Sequence, residues 1–441
     1  MAKISAVKGT RDLYPELFRP IRRIFDAWRR ASELHGFEEF ESPTLEYLDL
    51  YREKSGDELV GQLYRLTDAG GRELALRPEM TPSLARMVAA KINALAKPIK
   101  WYCMPKLFRG ENVQRGRLRE FFQWNVDVIG AESPVADAEV ILVGIEALRD
   151  LGLTASHFSA HVSNRRLIAG ILAAARIEGA DQATAYALLD KAGKMKPEDL
   201  AAKWNEKLGD RLQLERLLEW MSAESVDRLI ESVRGSLEMT EELESAGRQT
   251  SEVMAALASF GVEDFCRLDL KIVRGLAYYT GPVFEFFDKS QNERAICGGG
   301  RYDDLLGKLG KQKEPAVGFG MGDVVLSLLL EENGLLSPAS MSSRMVFVAD
   351  ASAGLRQDVQ RVVAGLRRAG VQAEFNYGEQ ALGKQLKQAD KRGAAAVVIL
   401  GDETRERGVC QVKRLASGET KEVAVDALLA DPASTFQFDR T

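Results

Sequence analysis

The sequence predicts an α+β fold: an antiparallel sheet flanked by helices, interrupted by a helical insert and followed by a separate α/β unit. Three observations predict it. Short apolar runs bounded by Gly and Pro recur between residues 37 and 130 and return from Arg267 onward. From about Asn164 to Ser259, Leu, Ala, Glu and Lys dominate, Gly is sparse and strand signals vanish. Beyond residue 344, strand and helix patterns alternate at short spacing.

The elements follow in order. Phe18, Ile21, Ile24, Phe25, Trp28 and Leu34 recur near helical spacing with arginines between them, an amphipathic helix stopped at Gly36. Residues 37–43 read as a short strand running into a bend fixed by Pro43. The runs 63–66 and 74–76 flank Asp68-Ala69-Gly70-Gly71 and read as a hairpin. A helix is expected from Thr81 to Leu95, then strands over Ile99–Phe108 and Arg119–Gly130 joined by a polar loop. After the helical insert, strands are expected at Arg267–Val273, Val283–Phe287 and Arg294–Cys297. The Gly-rich segment Ala316–Gly322 then leads into the apolar helix Val324–Leu330. Residues 337–343 have linker composition. Past them come strands at Met345–Ala349, Gln372–Asn376 and Ala396–Leu400, helices at Gln357–Ala369 and Ala381–Arg392, a hairpin around Ser417-Gly418 and a helix near Asp426.

Composition narrows the function classes. With 441 residues, 45% hydrophobic and 28% charged, the chain has the make-up of a folded protein of about three domains. No run approaches the roughly 18 apolar residues of a membrane helix, and the first residues lack the pattern of a secretory signal. Four cysteines without CxxC pairing fit a reducing, cytoplasmic setting rather than a disulfide framework or zinc ribbon. Three histidines are too few for a His-based centre, and no protein-only metal site is expected. Net charge is −5, so contact with nucleic acid must use local basic patches.

Several segments carry chemistry. Arg109 and Glu111 alternate onto one face of an expected strand, where a guanidinium suits phosphate and a carboxylate suits an exocyclic amine; a surface ion pair is the plainer account. On the next strand Arg119, Phe121, Gln123, Asn125 and Asp127 share a face. An aromatic among polar groups suits a floor for a planar base, or simply a solvated face. Glu79, at a strand-to-helix junction, suits an ammonium group or favours the helix N-terminus. Residues 274–281 form a Gly-flanked turn with Arg274, Tyr278 and Tyr279. Gly298-Gly299-Gly300 reads as a break at a strand end that admits close approach of a ligand.

Taken together, Lys8-Gly9-Thr10-Arg11-Asp12, Glu41-Ser42-Pro43, the run from Phe108 to Asp127, Arg274–Tyr279 and Gly298–Asp303 resemble the histidyl-tRNA synthetases, a class II aminoacyl-tRNA synthetase family. The resemblance spans nearly the whole chain, and the insert looks closer to the archaeal and eukaryotic branch. It implies the class II antiparallel catalytic fold with a C-terminal anticodon-binding domain. Boundaries are expected at 1–163 and 260–336 for the catalytic domain, 164–259 for the insert and 344–441 for the anticodon-binding domain. It implies activation of L-histidine by ATP, with Mg2+ on the phosphates, and transfer to histidine tRNA by a homodimer.

By the same resemblance Arg109 and Arg274 approach the α-phosphate as the catalytic pair. Glu111 and Phe121 bind adenine, completing an ATP site with those two arginines. Glu79, Thr81 and Gln123 hold the substrate amino group, and Asp127 and Tyr279 face the imidazole with Tyr278 beside them. Lys384, Lys387 and Lys391 form a basic stripe, a solvated helix face in general and a tRNA-binding face in this family. Two departures stand out: Ala277 replaces a usually acidic residue, and Val324-Val325 replaces the Glu-Arg that usually closes motif 3. A regulatory subunit of ATP phosphoribosyltransferase, a non-catalytic relative of the same fold, is the alternative those losses raise. Residues 344–441 favour the ligase.

Overall fold

A computed structural model describes residues 4–52, 61–192, 195–272, 279–289, 295–309, 312–336 and 344–436. The chain separates into two compact units, 1–337 and 338–441.

The first unit opens with helix α1 (Pro15–Leu34). Its buried face carries Ile21, Ile24 and Trp28, and its end is turned by Gly36 at φ 73°, a conformation that favours glycine. Strands β1 (Glu38–Glu39), β2 (Leu45–Tyr47), β3 (Arg65–Thr67) and β4 (Glu73–Leu76) follow, with α2 (Leu48–Arg52) after β2. Strands β2, β4 and β3 form a small antiparallel sheet, including the expected hairpin. Helix α3 (Thr81–Lys91) precedes β5 (Ile99–Cys103), β6 (Lys106–Phe108) and β7 (Glu120–Ile129). The single strand expected over 99–108 is thus two. Pro105 lies between them, and its carbonyl accepts from the Gln123 amide (3.0 Å); a residue without an N–H is readily accommodated at such a break.

Helix α4 (Pro134–Asp150) and strand β8 (Phe158–Asn164) then precede six helices, α5 (Arg165–Ala174), α6 (Gly179–Leu189), α7 (Pro197–Leu208), α8 (Leu214–Trp220), α9 (Val226–Arg234) and α10 (Glu241–Ser259). These helices bury their own apolar centre, in which Leu172, Trp204, Leu217 and Leu243 are fully enclosed. Helix α10 also reaches the main core through Val253 and Leu257.

The sheet resumes with β9 (Cys266–Leu268), β10 (Pro282–Asp288) and β11 (Cys297–Arg301). A short helix, α11 (Leu305–Leu309), leads to β12 (Ala316–Gly322) and α12 (Asp323–Glu332). The strand expected over 267–273 is shorter than its apolar run, because Asp269 turns the chain: its carboxylate accepts the Lys271 amide at 3.1 Å. One Gly-rich reading is corrected, and a segment given no element from sequence proves to be a strand. Gly298–Gly300 lies inside β11 rather than breaking it, and Ala316–Gly322 is β12, a central strand. The large sheet runs β1-β5-β7-β12-β11-β10-β8-β9, with β6 on β7. Its interior pairs are antiparallel, and only the two outer pairs, β1–β5 and β8–β9, are parallel.

The core lies between one face of this sheet and helices α1 and α4. Trp28 stacks on Trp124 at 5.8 Å, and the Trp124 indole N–H donates to Ser32 Oγ at 3.0 Å. The opposite face carries the polar residues of β7, and helices α3 and α11 cover it at its Ile99 and Ile129 end.

The second unit is a five-stranded sheet in the order β14-β13-β15-β16-β17, covering β13 (Val346–Asp350), β14 (Ala373–Phe375), β15 (Ala396–Leu400), β16 (Val409–Arg414) and β17 (Thr420–Ala424). The first three strands are parallel and the last two close antiparallel. Helices α13 (Arg356–Arg368) and α14 (Leu382–Lys391) are the crossovers. No described helix is long and apolar enough to cross a membrane.

Candidate active site

This second face of the large sheet has a glycine floor. Asp127 and Asn125 of β7 lie opposite Gly318 and Gly320 of β12. These pair with Gly300 and Gly298 of β11, which lie opposite Val283 and Glu285 of β10. A side chain on the floor would collide with its neighbours: a Cβ on Gly318 would stand 2.0 Å from Asp127 Oδ1, and one on Gly320 2.8 Å from the Gln123 amide. The glycines therefore let two polar side chains lie across β12 and bring a ligand close to the backbone.

An inner cavity of about 240 Å³ stands over this floor, lined by Glu79, Thr81, Gln123, Asp127 and Tyr279, with Asn125, Glu285 and Tyr302. The five residues expected there from the sequence are brought together from α3, β7 and the start of the β10 hairpin. Asp127 is only 4% exposed. Tyr302 Oη donates to its Oδ1 at 2.5 Å. Burial pushes the Asp127 carboxyl up to about 7, against the downward pull of the Tyr302 hydrogen bond. Burial likewise raises the Tyr279 phenol, with nearby carboxylates adding to the effect. Glu79 is buried just ahead of α3. Its neighbour Arg77 is structural: its guanidinium meets Glu41 Oε1 at 2.5 Å and donates to the carbonyls of Ser42 (2.6 Å) and Lys106 (3.1 Å). That clasp fixes the Glu41–Pro43 bend and the approach to Glu79.

An outer cavity of about 780 Å³ adjoins the first, sharing Arg109, Gln123, Glu285, Gly298 and Gly320 with it. Glu111, Arg117, Phe121, Phe287, Val324 and Val325 line the remainder. Arg109 and Glu111 do not sit on a strand as expected; β6 ends at Phe108, and the chain leaves the ladder after Arg109 N–H donates to the Arg119 carbonyl (3.0 Å). They still face one another, at 4.0 Å. The Arg109 Nε donates to the Pro78 carbonyl (2.9 Å), and its guanidinium lies 5.3 Å from the centre of the Phe121 ring. Glu111 is held by Arg117 at 2.5 Å. The outer cavity is thus a chamber with aromatic walls, two arginines set against two carboxylates, and an apolar side at Val324 and Val325.

Two ion pairs, one half-buried and one buried, brace the floor. Arg11, in the opening Lys8–Asp12 segment, meets Asp323 at 2.7 Å, and Asp323 also accepts the Phe122 amide at 2.9 Å. This links the N-terminal segment, β7 and the start of α12. Arg301, at the end of the glycine strand, meets Asp137 of α4 at 2.6 Å.

Asn125, Glu285 and Tyr302 were not singled out from sequence. Asn125 stood on the polar face of β7, and Glu285 is a lone acid in the aromatic run Phe284–Phe287, both readable signals. Arg274 and Tyr278 lie outside the described residues, as does Ala277. Lys384, Lys387 and Lys391 are exposed on α14 of the second unit.

Comparison with known proteins follows this geometry. Residues 9–323 match the family model for histidyl-tRNA synthetase and residues 345–431 that for an anticodon-binding domain. A histidine–tRNA ligase of Opitutus terrae is 38% identical over 99% of this chain and 100% of its own length. One of Natronomonas pharaonis is 40% identical over 96% of both. The crystal structure of histidyl-tRNA synthetase from Nostoc sp. PCC 7120 superposes with a TM-score of 0.84 at 26% identity, covering 99% of each chain.

Proposed function

The chain belongs to the histidyl-tRNA synthetase family, and from that premise we propose how its two cavities divide the charging of tRNA with histidine. The reaction class is that of a histidine–tRNA ligase, since full-length relatives carry that name and both family models match. The phosphoribosyltransferase regulatory subunit is not better supported than the ligase.

One observation carries the reading: the small cavity with its buried carboxylates adjoins a larger one in which Phe121 stands with Arg109, Arg117 and Glu111, and Arg109 lines both. Histidine occupies the inner cavity, its imidazole on Asp127 and Tyr279, its ammonium group near Glu79, Thr81 and Gln123. ATP occupies the outer cavity, adenine against Phe121 with its amine toward Glu111. Glu111 is now held by Arg117, so the nucleotide competes with that pair. The histidine carboxylate attacks the α-phosphate at the junction, pyrophosphate leaves, and the adenylate passes histidine to the terminal ribose of the tRNA. Arg109 screens the negative charge from one side and Arg274 from the other. Mg2+ travels with the ATP phosphates and neutralises their charge when bound. Glu285, which lines both cavities, is an oxygen donor suited to it.

Residues 1–163 and 260–336 form the catalytic domain, 164–259 its insert and 344–441 the anticodon-binding domain. Exposed Leu45 and Tyr47 on β2 give two copies an apolar face on which to pair as a homodimer. Four free cysteines fit the cytoplasm. Histidine-dependent exchange of pyrophosphate into ATP tests the reading; exchange indifferent to histidine would refute it.

A further inference from the structure

We propose that Tyr377 is a stacking platform for an unpaired base of the tRNA anticodon loop. The inference rests on the ligase reading and names the residue through which the C-terminal unit grips its RNA.

Among the described residues of that unit, Tyr377 is the large apolar side chain left exposed, at 83%. An exposed aromatic could be incidental on a mobile loop, but this one is held from three sides. Its ring meets Phe375 edge-on, with centroids 5.2 Å apart and planes at 79°. Its backbone carbonyl accepts from the Arg356 guanidinium of α13. The turn that follows it is pinned by Gln385, buried on α14, whose amide donates to the carbonyls of Gln380 (2.8 Å) and Asp350 (2.9 Å). Bracing of this kind keeps a ring exposed and oriented before a ligand arrives, so little ordering cost remains for binding.

The position fits a nucleic acid. Tyr377 follows the C-terminal end of β14, and Asp350 ends β13. Ligands of open α/β sheets collect outside the carboxyl ends of the parallel strands. The turn runs directly into α14, where Lys384 and Lys387 are exposed one turn apart. A π-face next to a short cationic stripe is the pairing that single-stranded nucleic acid requires, the ring for a base and the lysines for flanking phosphates.

The test uses full-length protein and histidine tRNA transcripts. Tyr377→Ala should lower kcat/KM for tRNA charging by roughly 5- to 150-fold, the range for losing one stacked base, while Tyr377→Phe stays within about twofold because the ring remains. Replacing anticodon nucleotides one at a time by abasic ones should find a position at which wild type loses as much as Tyr377→Ala does and the variant loses nothing further. Normal charging by Tyr377→Ala would overturn the inference and leave the ligase reading intact. So would an equal loss on a transcript lacking the anticodon arm. A wild-type protein that fails histidine-dependent exchange would instead refute the ligase reading, and this inference with it.

Discussion

Tyr302 closes on Asp127 across 175 residues of sequence, its hydroxyl 2.5 Å from the carboxylate at the bottom of the inner cavity. The bond fixes one oxygen of a buried acid and leaves the other for a ligand. If that ligand is the imidazole, Asp127→Ala should raise the histidine KM about 5- to 150-fold, since an unpaired buried polar group costs roughly 1–3 kcal/mol. The ATP KM should move far less. Steady-state exchange with each substrate varied in turn checks this, and equal losses for both would refute the assignment.

Asp127 also makes a pH prediction. Its carboxyl is raised to about 7 in the folded protein, against about 4 in an unfolded chain. A raised acid holds a proton that unfolding releases, so its stabilising contribution is complete below about pH 4 and is lost as pH rises to about 7. The stability of Asp127→Asn relative to wild type should therefore climb by roughly 1.4 kcal/mol per pH unit across that window and level off above it. Urea melts without substrate, from pH 5 to 8, measure the slope; a flat difference would mean the acid is not raised.

Part of this site was legible in sequence and part was not. Gln123 and Asp127 could be read because alternation along β7 separates a polar face from one carrying Trp124 and Val126. Tyr302 could not, because its partner is distant and their meeting depends on β12 lying between β7 and the end of β11. Gly298–Gly300 of β11 was misread as a break, and β12 was given no element, for one physical reason: glycine depresses strand propensity, yet here it is required by neighbours that cross over it. Strand β8 and helix α4 carried no motif and emerge from packing, although α4 supplies Asp137 to the Arg301 ion pair. The Arg109–Glu111 proximity was anticipated correctly, but by strand alternation, whereas a departing loop produces it.

The glycine floor predicts a contrast between two small substitutions. Gly318→Ala places a methyl 2.0 Å from Asp127 Oδ1 and 2.7 Å from the Val126 carbonyl. It should cost about 1–3 kcal/mol of stability and displace the acid, with a matching loss of histidine binding. At Gly322 nothing lies within 4 Å of an added Cβ, and φ is −83°. Gly322→Ala should change stability by less than about 0.5 kcal/mol. Thermal melts and histidine titrations on the two proteins test the contrast.

Arg301 and Asp137 are almost wholly buried and meet at 2.6 Å. Removing one partner strands the other's charge, so Arg301→Met should destabilise the first unit by about 3–5 kcal/mol. The double change Arg301→Met with Asp137→Leu should recover much of that loss, because an apolar pair avoids the desolvation cost altogether. A double-mutant cycle by denaturant unfolding gives the answer, and additive losses would show that the pair is not coupled.

Arg109 is where the proposed chemistry concentrates. Its Nε is committed to the Pro78 carbonyl and its plane stands beside Phe121, so the remaining nitrogens are oriented before substrate enters. A histidine carboxylate and an α-phosphate repel each other, and the pentacovalent transition state carries more charge on its oxygens than the ground state does. A fixed guanidinium at the junction of the cavities relieves that repulsion most at the transition state, and its loss should therefore lower the rate of activation more than it weakens binding. Removing such a stabiliser typically costs about 10²–10³-fold. Arg109→Lys should rescue little, because an ammonium group cannot hold Pro78 and also present a fork to two anions. If the resemblance is right that Val325 stands where the family carries an arginine, the remaining cations bear more of the charge and the loss lies toward the upper end of that range. Single-turnover adenylate formation at saturating histidine and ATP separates rate from affinity. A near-native rate for both Arg109→Gln and Arg109→Lys would mean that this chain activates histidine without the charge screening on which the mechanism depends.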